Sequence, residues 1–299
     1  MSTIATDKTM ASPAIPFAVA CLGIAFFSTM DGVMKGISLE IGAYNALLWR
    51  TIVATIMMTI IAGIKGQRWP SKAAWRLHLW RGSVASVMAF TFFWGIARVP
   101  LAEGIALSFI SPIIALYLAS VLLGETIHRS AIIASVLGFG GVVIIASGRI
   151  GGDFSEDALW GIGAILVSAV FYAGNLVLMR MQAKVAEPIE IALAQNVIVA
   201  SILFCFAPFF AVVPNINILP AISLAAVLTI ASLLLLGWAY ARAQAQHLIP
   251  VEYTAFIWAA IIGYLMFDEA VTLTTIAGTT LIVAGCAIAA RTKVPSLEL

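Results

Sequence analysis

Long apolar runs alternate with short polar knots along almost the whole chain. Each run has about the 20 residues a helix needs to cross the hydrocarbon core of a bilayer. The pattern predicts ten helices, at residues 14–37, 44–64, 76–97, 102–123, 127–147, 158–181, 190–212, 220–242, 250–267 and 271–290. The knots between them combine charge with Gly or Pro, as at Lys65-Gly66, Arg98-Val99-Pro100, Gly124-Glu125, Glu187-Pro188 and Asp268-Glu269. The apolar run after Pro16 is too long for a signal-peptide core and reads as the first membrane helix.

Composition agrees with a membrane protein. Of 299 residues, 62% are hydrophobic and 10% charged, against roughly 25% charged in soluble domains. Net charge is only +2, but its distribution orients the chain. With a cytoplasmic N-terminus, twelve Lys and Arg residues fall on the cytoplasmic side and two, Arg98 and Arg149, on the other. By the positive-inside rule both termini are then cytoplasmic, in the cell inner (plasma) membrane.

The chain also repeats. Trp94, Ala97, Arg98, Ala115, Glu125 and Gly141 recur 144 residues later as Trp238, Ala241, Arg242, Ala259, Glu269 and Gly285, and Asp31 falls opposite Asn175. Each copy holds five helices, an odd number, so the second enters the membrane from the opposite side. The expected fold class is an all-α integral membrane protein of ten transmembrane helices in two inverted five-helix repeats. A tail at 1–13 precedes the first repeat (14–147), a linker (148–157) leads to the second (158–290), and a tail closes the chain (291–299). Inverted repeats usually build alternating-access transporters with a site at their interface.

Ionisable groups inside a bilayer are costly and need a reason. Asp31, Lys35, Arg50, Glu103 and Glu252 are the candidates. Asp31 and Lys35, four residues apart, either pair on one helix face or leave Asp31 to the transport pathway. Lys35 is close enough to a helix end to snorkel, and Arg50 reads as a structural group bonding carbonyls or a carboxylate. Helix 4 carries a small polar face, Gly104, Ser108, Ser111 and Ala115, interrupted by Pro112, which frees a carbonyl one turn back. It is either a cavity wall or a small-residue helix contact. Phe90, Trp94, Tyr172, Asn175, Trp238, Tyr253 and Phe256 complete the candidate cavity, an apolar wall with a few polar groups. Repeat symmetry suggests an outer gate of Trp94, Arg98 and Glu103, and an inner gate of Trp238, Arg242 and Glu252. In the alternative, the arginines only anchor helix ends.

Cys21, Cys205 and Cys286 read as small packing residues, and His78, His128 and His247 are too scattered for a metal site. No nucleotide-binding loop, zinc-protease motif or nucleophile elbow occurs. The expectation is therefore no enzyme, no cofactor and no metal. The expected partners are a small-molecule substrate and the lipid bilayer, without nucleic acid; monomer and dimer stay open. The rival readings are a membrane-embedded enzyme, an exporter of other drugs or metabolites, and a subunit that works only with a partner chain.

The doubled motif is recognisable. Leu123-Gly124-Glu125 and Phe267-Asp268-Glu269 each end a fourth helix, Gly141 and Gly285 lie near the ends of the fifth helices, and Lys35 and Arg50 stand in the first two. This resembles the drug/metabolite transporter superfamily and its EamA-type repeat, most closely the aromatic amino-acid exporters of the YddG type. The resemblance implies a basket of ten helices, with helices 1, 3, 4, 6, 8 and 9 around a central cavity, and export of amino acids. The second repeat departs from it, with Met179 opposite Lys35 and Asn196 opposite Arg50.

Overall fold

The computed structural model describes residues 14–67, 70–123, 129–148, 156–182, 185–240 and 251–290. Helices make up the regular structure of these residues, and they contain no strand. Twelve are labelled here: α1 (Ala14–Ile41), α2 (Ala43–Ile64), α3 (Lys72–Ile96), α4 (Leu101–Ser108), α5 (Ser111–Leu123), α6 (Arg129–Ser147), α7 (Glu156–Gln182), α8 (Pro188–Cys205), α9 (Ala207–Phe210), α10 (Leu219–Tyr240), α11 (Thr254–Phe267) and α12 (Leu273–Ala290).

Five stretches are long and apolar enough to cross a membrane: Ile15–Ile41, Ala43–Ile64, Glu156–Met179, Pro188–Cys205 and Ile216–Leu236. Shorter apolar helices cover Leu101–Ala115, Ser135–Ile145, Thr254–Phe267 and Leu273–Gly285. Large apolar side chains stand on the outer surface of these helices; Ile132, Ile133, Val136, Phe139 and Val143 line one face of α6. Such a surface suits lipid rather than water.

Helix boundaries follow local chemistry. Gly42 alone separates α1 from α2, and its φ of 81° is a conformation that glycine adopts without steric cost. Ser71 caps α3 by accepting from the amide of Ala74 at 3.2 Å. Helix 4, expected as one element, is two. The turn at Phe109-Ile110 precedes Pro112, which has no N–H for the Ser108 carbonyl. The hydroxyl of Ser111 takes that place, donating to Ser108 O at 2.6 Å. The second repeat breaks at the matching position: Val251 and Glu252 are helical, Tyr253 is a turn, and α11 begins at Thr254. The two break residues meet, the Phe109 and Tyr253 rings lying edge to face with centroids 5.4 Å apart.

Packing joins the two sequence halves. α1 runs along α10 and α3 along α7, while α2 pairs with α8 and α6 with α12. Glycines allow the closest approaches. A Cβ on Gly141 of α6 would stand 2.5 Å from Gly278 O of α12, and one on Gly278 would stand 2.5 Å from Gly141 O. After α9 the chain is stitched to the start of α2. Val212 N donates to Asn45 Oδ1 at 2.8 Å, Val212 O accepts from Trp49 Nε1 at 2.8 Å, and the Tyr44 hydroxyl donates to Leu203 O at 2.6 Å.

Candidate functional site

Among the described residues, three groups of buried and half-buried polar side chains are assembled across helices. The first lies where α1, α4 and α11 meet. Asp268 closes α11 in a left-handed conformation, φ 55°, which Asp adopts more readily than most residues. The turn folds Glu269 back, its N–H donating to Gly263 O at 3.1 Å. Gly263 makes room, since a Cβ there would stand 2.9 Å from Glu269 Oε2. The carboxylate thus reaches Lys35 with Oε1 and accepts from Leu101 N with Oε2 at 2.7 Å. Lys35 Nζ also donates to Val99 O at 2.7 Å and sits 5.1 Å from the centroid of the Phe267 ring. Lys35 therefore pairs neither with Asp31 nor with the headgroups. It turns inward because Glu269 neutralises it and Val99 satisfies it. Glu103 is buried in the first turn of α4 and, with Glu269, lines a small crevice beside Thr272.

The second group is central. Asp31 on α1 is 1% exposed, and neither carboxylate oxygen has a hydrogen-bond partner. Arg50 on α2 donates through Nη1 to Thr229 Oγ1 of α10 at 3.2 Å and lies 3.9 Å from Sδ of Met30, the neighbour of Asp31. Its guanidinium carbon is 5.6 Å from the centroid of the Phe93 ring, and its Nε has no partner. The bond to carbonyl or carboxylate expected for Arg50 is replaced by a hydroxyl and an aromatic face. Ser28, one turn before Asp31, and Ser232, one turn after Thr229, also have buried hydroxyls without partners.

The third group joins α3, α7 and α8. Arg81 donates through Nε to Asn175 Oδ1 at 3.0 Å and through Nη1 to Gln182 Oε1 at 2.7 Å. The Gln182 amide donates to Nδ1 of His78, whose Nε2 donates to Glu190 Oε1 at 3.0 Å. An amide donor at Nδ1 and a carboxylate at Nε2 together fix the tautomer of the neutral imidazole. Asn175 is the repeat counterpart of Asp31, and here it orients an arginine. His78, Arg81, Gln182 and Glu190 were not singled out from the sequence. Their signal was present as spacing: His78 and Arg81 stand three positions apart, Asn175 and Gln182 seven.

The other expected site residues are placed as follows. Arg98 stacks on the Trp94 ring with its guanidinium carbon 3.5 Å from the centroid, and donates to Trp94 O at 3.0 Å. Its carboxylate partner is Asp157 at the start of α7, 2.9 Å away, rather than the expected Glu103. Ser108 donates to Gly104 O at 3.0 Å, so the Ser108 and Ser111 protons are both committed to backbone. Each hydroxyl can still accept. Phe90, Tyr253 and Phe256 are half-buried against the main core. Tyr172 and Trp238 are partly exposed, at 37% and 38%, and Glu252 is exposed. Arg242, Glu125 and the two tails lie outside the described residues, so only part of the expected inner gate is on view. No cluster of three or more metal-ligating side chains occurs among the described residues.

Known proteins share this architecture and much of this sequence pattern. The pseudopaline exporter CntI of Pseudomonas aeruginosa is 26% identical over 92% of this chain and 95% of its own. An uncharacterized transporter of Helicobacter pylori is 24% identical over 86% of this chain and 88% of its own. A solved crystal structure superposes with a TM-score of 0.59 at 19% identity, covering 93% of this chain and 96% of the other, which establishes likeness of fold. The description "EamA-like transporter family" matches the chain twice, over residues 15–147 and 159–291. With the doubled sequence pattern, the lipid-facing helices and these two matches, the chain is a multi-pass membrane transporter and belongs to the EamA-like transporter family.

Proposed function

We propose that this transporter exports neutral amino acids, aromatic ones included, by alternating access between two inverted five-helix halves in the inner membrane. The observation that carries the reading is the exchange symmetry of the packing. Swapping the halves turns the α1–α10 contact into the α7–α3 contact and returns the α2–α8 and α6–α12 contacts to themselves. Helices 4 and 9 break at matching residues, whose rings touch. Such an arrangement lets each half take the other's conformation, which alternating access requires.

In this reading each end of the pathway has its own clasp between the halves. The outer one comprises Lys35, Val99 and Leu101 with Glu269, flanked by Trp94, Arg98 and Asp157. The cytoplasmic one comprises His78 and Arg81 with Asn175, Gln182 and Glu190. Export as the direction is supported by the named exporter among the relatives. A phosphate site would gather several Arg or Lys groups, whereas the interior walls are apolar and aromatic around Arg50.

Two measurements test this. Reporter fusions at the C-terminus and within residues 149–157 should show a cytoplasmic C-terminus and an extracytoplasmic linker. A C-terminal fusion active only outside the cytoplasm would overturn the orientation and the inverted repeat together. Purified protein in liposomes loaded with phenylalanine should accumulate external labelled phenylalanine by counterflow. Flux of sugar phosphates without flux of phenylalanine would refute the substrate class.

A further inference from the structure

The central polar group is built to hold a ligand rather than to hold the fold. A structural ion pair would join Asp31 to a cation, and every buried donor or acceptor would find a partner, as the great majority do in folded proteins. Here the opposite is observed. Both Asp31 oxygens, the Arg50 Nε–H and the hydroxyls of Ser28 and Ser232 are buried and unpaired. The groups come from α1, α2 and α10, with Phe93 of α3 beside the guanidinium. Met30 touches Arg50, so the arginine lies next to the turn that bears Asp31. The first group shows what a satisfied arrangement looks like, because Lys35 and Glu269 bond to each other and to backbone.

One kind of molecule complements the unfilled bonds: a compound carrying an ammonium and a carboxylate close together. Its three N–H donors match the two Asp31 oxygens and a serine hydroxyl, and its carboxylate matches the guanidinium. Being zwitterionic, it adds no net charge to the membrane interior, which either half alone would do. We infer that Asp31 and Arg50 form the head-group site of the transporter, Asp31 taking the α-ammonium and Arg50 the α-carboxylate of a free amino acid. The inference rests on the exporter reading above and narrows it, because it excludes amines and simple carboxylic acids as good substrates. Arg50, assigned above from sequence to a structural role, becomes a binding residue, and Asp31 takes the pathway role rather than the pairing with Lys35.

The test is competition against labelled phenylalanine in counterflow, with three unlabelled compounds: phenylalanine, 3-phenylpropionate (no ammonium) and phenylalaninamide (no carboxylate). In the wild type each incomplete analogue should compete at least about tenfold less well, the size of one charge-assisted hydrogen bond. Asp31→Asn should abolish the preference for phenylalanine over 3-phenylpropionate while keeping that over phenylalaninamide. Arg50→Gln should do the reverse. A structural role would weaken all three compounds alike in both variants, and that result overturns the inference. So does an analogue that competes with the wild type as well as phenylalanine, a comparison that needs no variant to fold. If the wild type shows no counterflow with any amino acid while carrying another solute, the amino-acid reading itself has failed and this site assignment falls with it. Counterflow with unaltered preferences in the variants removes the site alone.

Discussion

Glu269→Gln is expected to destabilise the protein by about 3–5 kcal/mol, the usual loss when one partner of a buried ion pair is removed. Lys35 has its side chain 4% exposed, and its bonds include those to the Glu269 carboxylate and Val99 O. Glutamine keeps an acceptor for Leu101 N–H but offers the ammonium no charge. The ammonium would then stay buried without the Glu269 charge. The double variant Lys35→Met/Glu269→Gln removes both charges and should recover most of the loss, since replacing a whole buried pair by apolar groups is often close to neutral. Thermal unfolding of the single and double variants in detergent gives the comparison. Equal losses would show that the damage does not come from the uncompensated Lys35 charge. If the clasp proposed above opens during transport, the same imbalance acts in liposomes only on the closed state. Glu269→Gln should therefore also increase labelling of cysteines placed near Ile262 by a reagent applied from the outer side. Unchanged labelling would leave the pair a structural tie without a part in closure.

Gly141→Ala should be as damaging, for a steric reason. The added methyl would stand 2.5 Å from Gly278 O and 2.6 Å from Ile282 Cγ1. The first of these is backbone and cannot rotate away, so α6 and α12 must separate along their contact. Overpacking typically costs 1–3 kcal/mol, and a backbone obstacle puts this site near the upper end, at about 3 kcal/mol. Gly140, the preceding residue on the same helix, is the internal control. A Cβ there meets nothing within 4 Å, so Gly140→Ala should be neutral or gain several tenths of a kcal/mol from reduced chain entropy. Melting temperatures of the two variants, measured side by side, should differ by several degrees. Matching temperatures would mean that the α6–α12 contact is loose enough to absorb a methyl.

Much of the helical layout is legible in the sequence, because apolar runs and their punctuation are local. The break in helix 4 is an example: Pro112 lacks an N–H wherever it stands, so the orphaned Ser108 carbonyl was predictable, and so was a nearby hydroxyl to fill it. Partner choice is a different matter. Glu269 was visible as a motif residue at the end of a helix, but its reach to Lys35, 234 residues earlier, depends on the left-handed turn at Asp268 and the missing side chain at Gly263. Asp31 and Lys35 share a helix face, and spacing suggested that they pair. Spacing brings two residues within reach and says nothing about a third that arrives from another helix. Arg81 counted only among the twelve cytoplasmic-side cations, because a hydropathy pattern does not show which face of α3 meets Asn175 and Gln182. Arg98 shows the same limit, with Asp157 reaching it across the repeat boundary.

The stitched segment after α9 bears on how the protein can be altered by insertion. Val212 and Val213 are 58% and 81% exposed, and by exposure alone the turn invites an epitope or a protease site. Its backbone is nevertheless engaged on both sides, Val212 giving its N–H to Asn45 and its carbonyl to Trp49. Tolerance to insertion follows the bonding of the backbone rather than the visibility of the side chains. Extra residues here would pull out two bonds at once and unmoor the entrance to α10 from α2. The turn is a seam, and sequence added to it would be read by the protein as a tear.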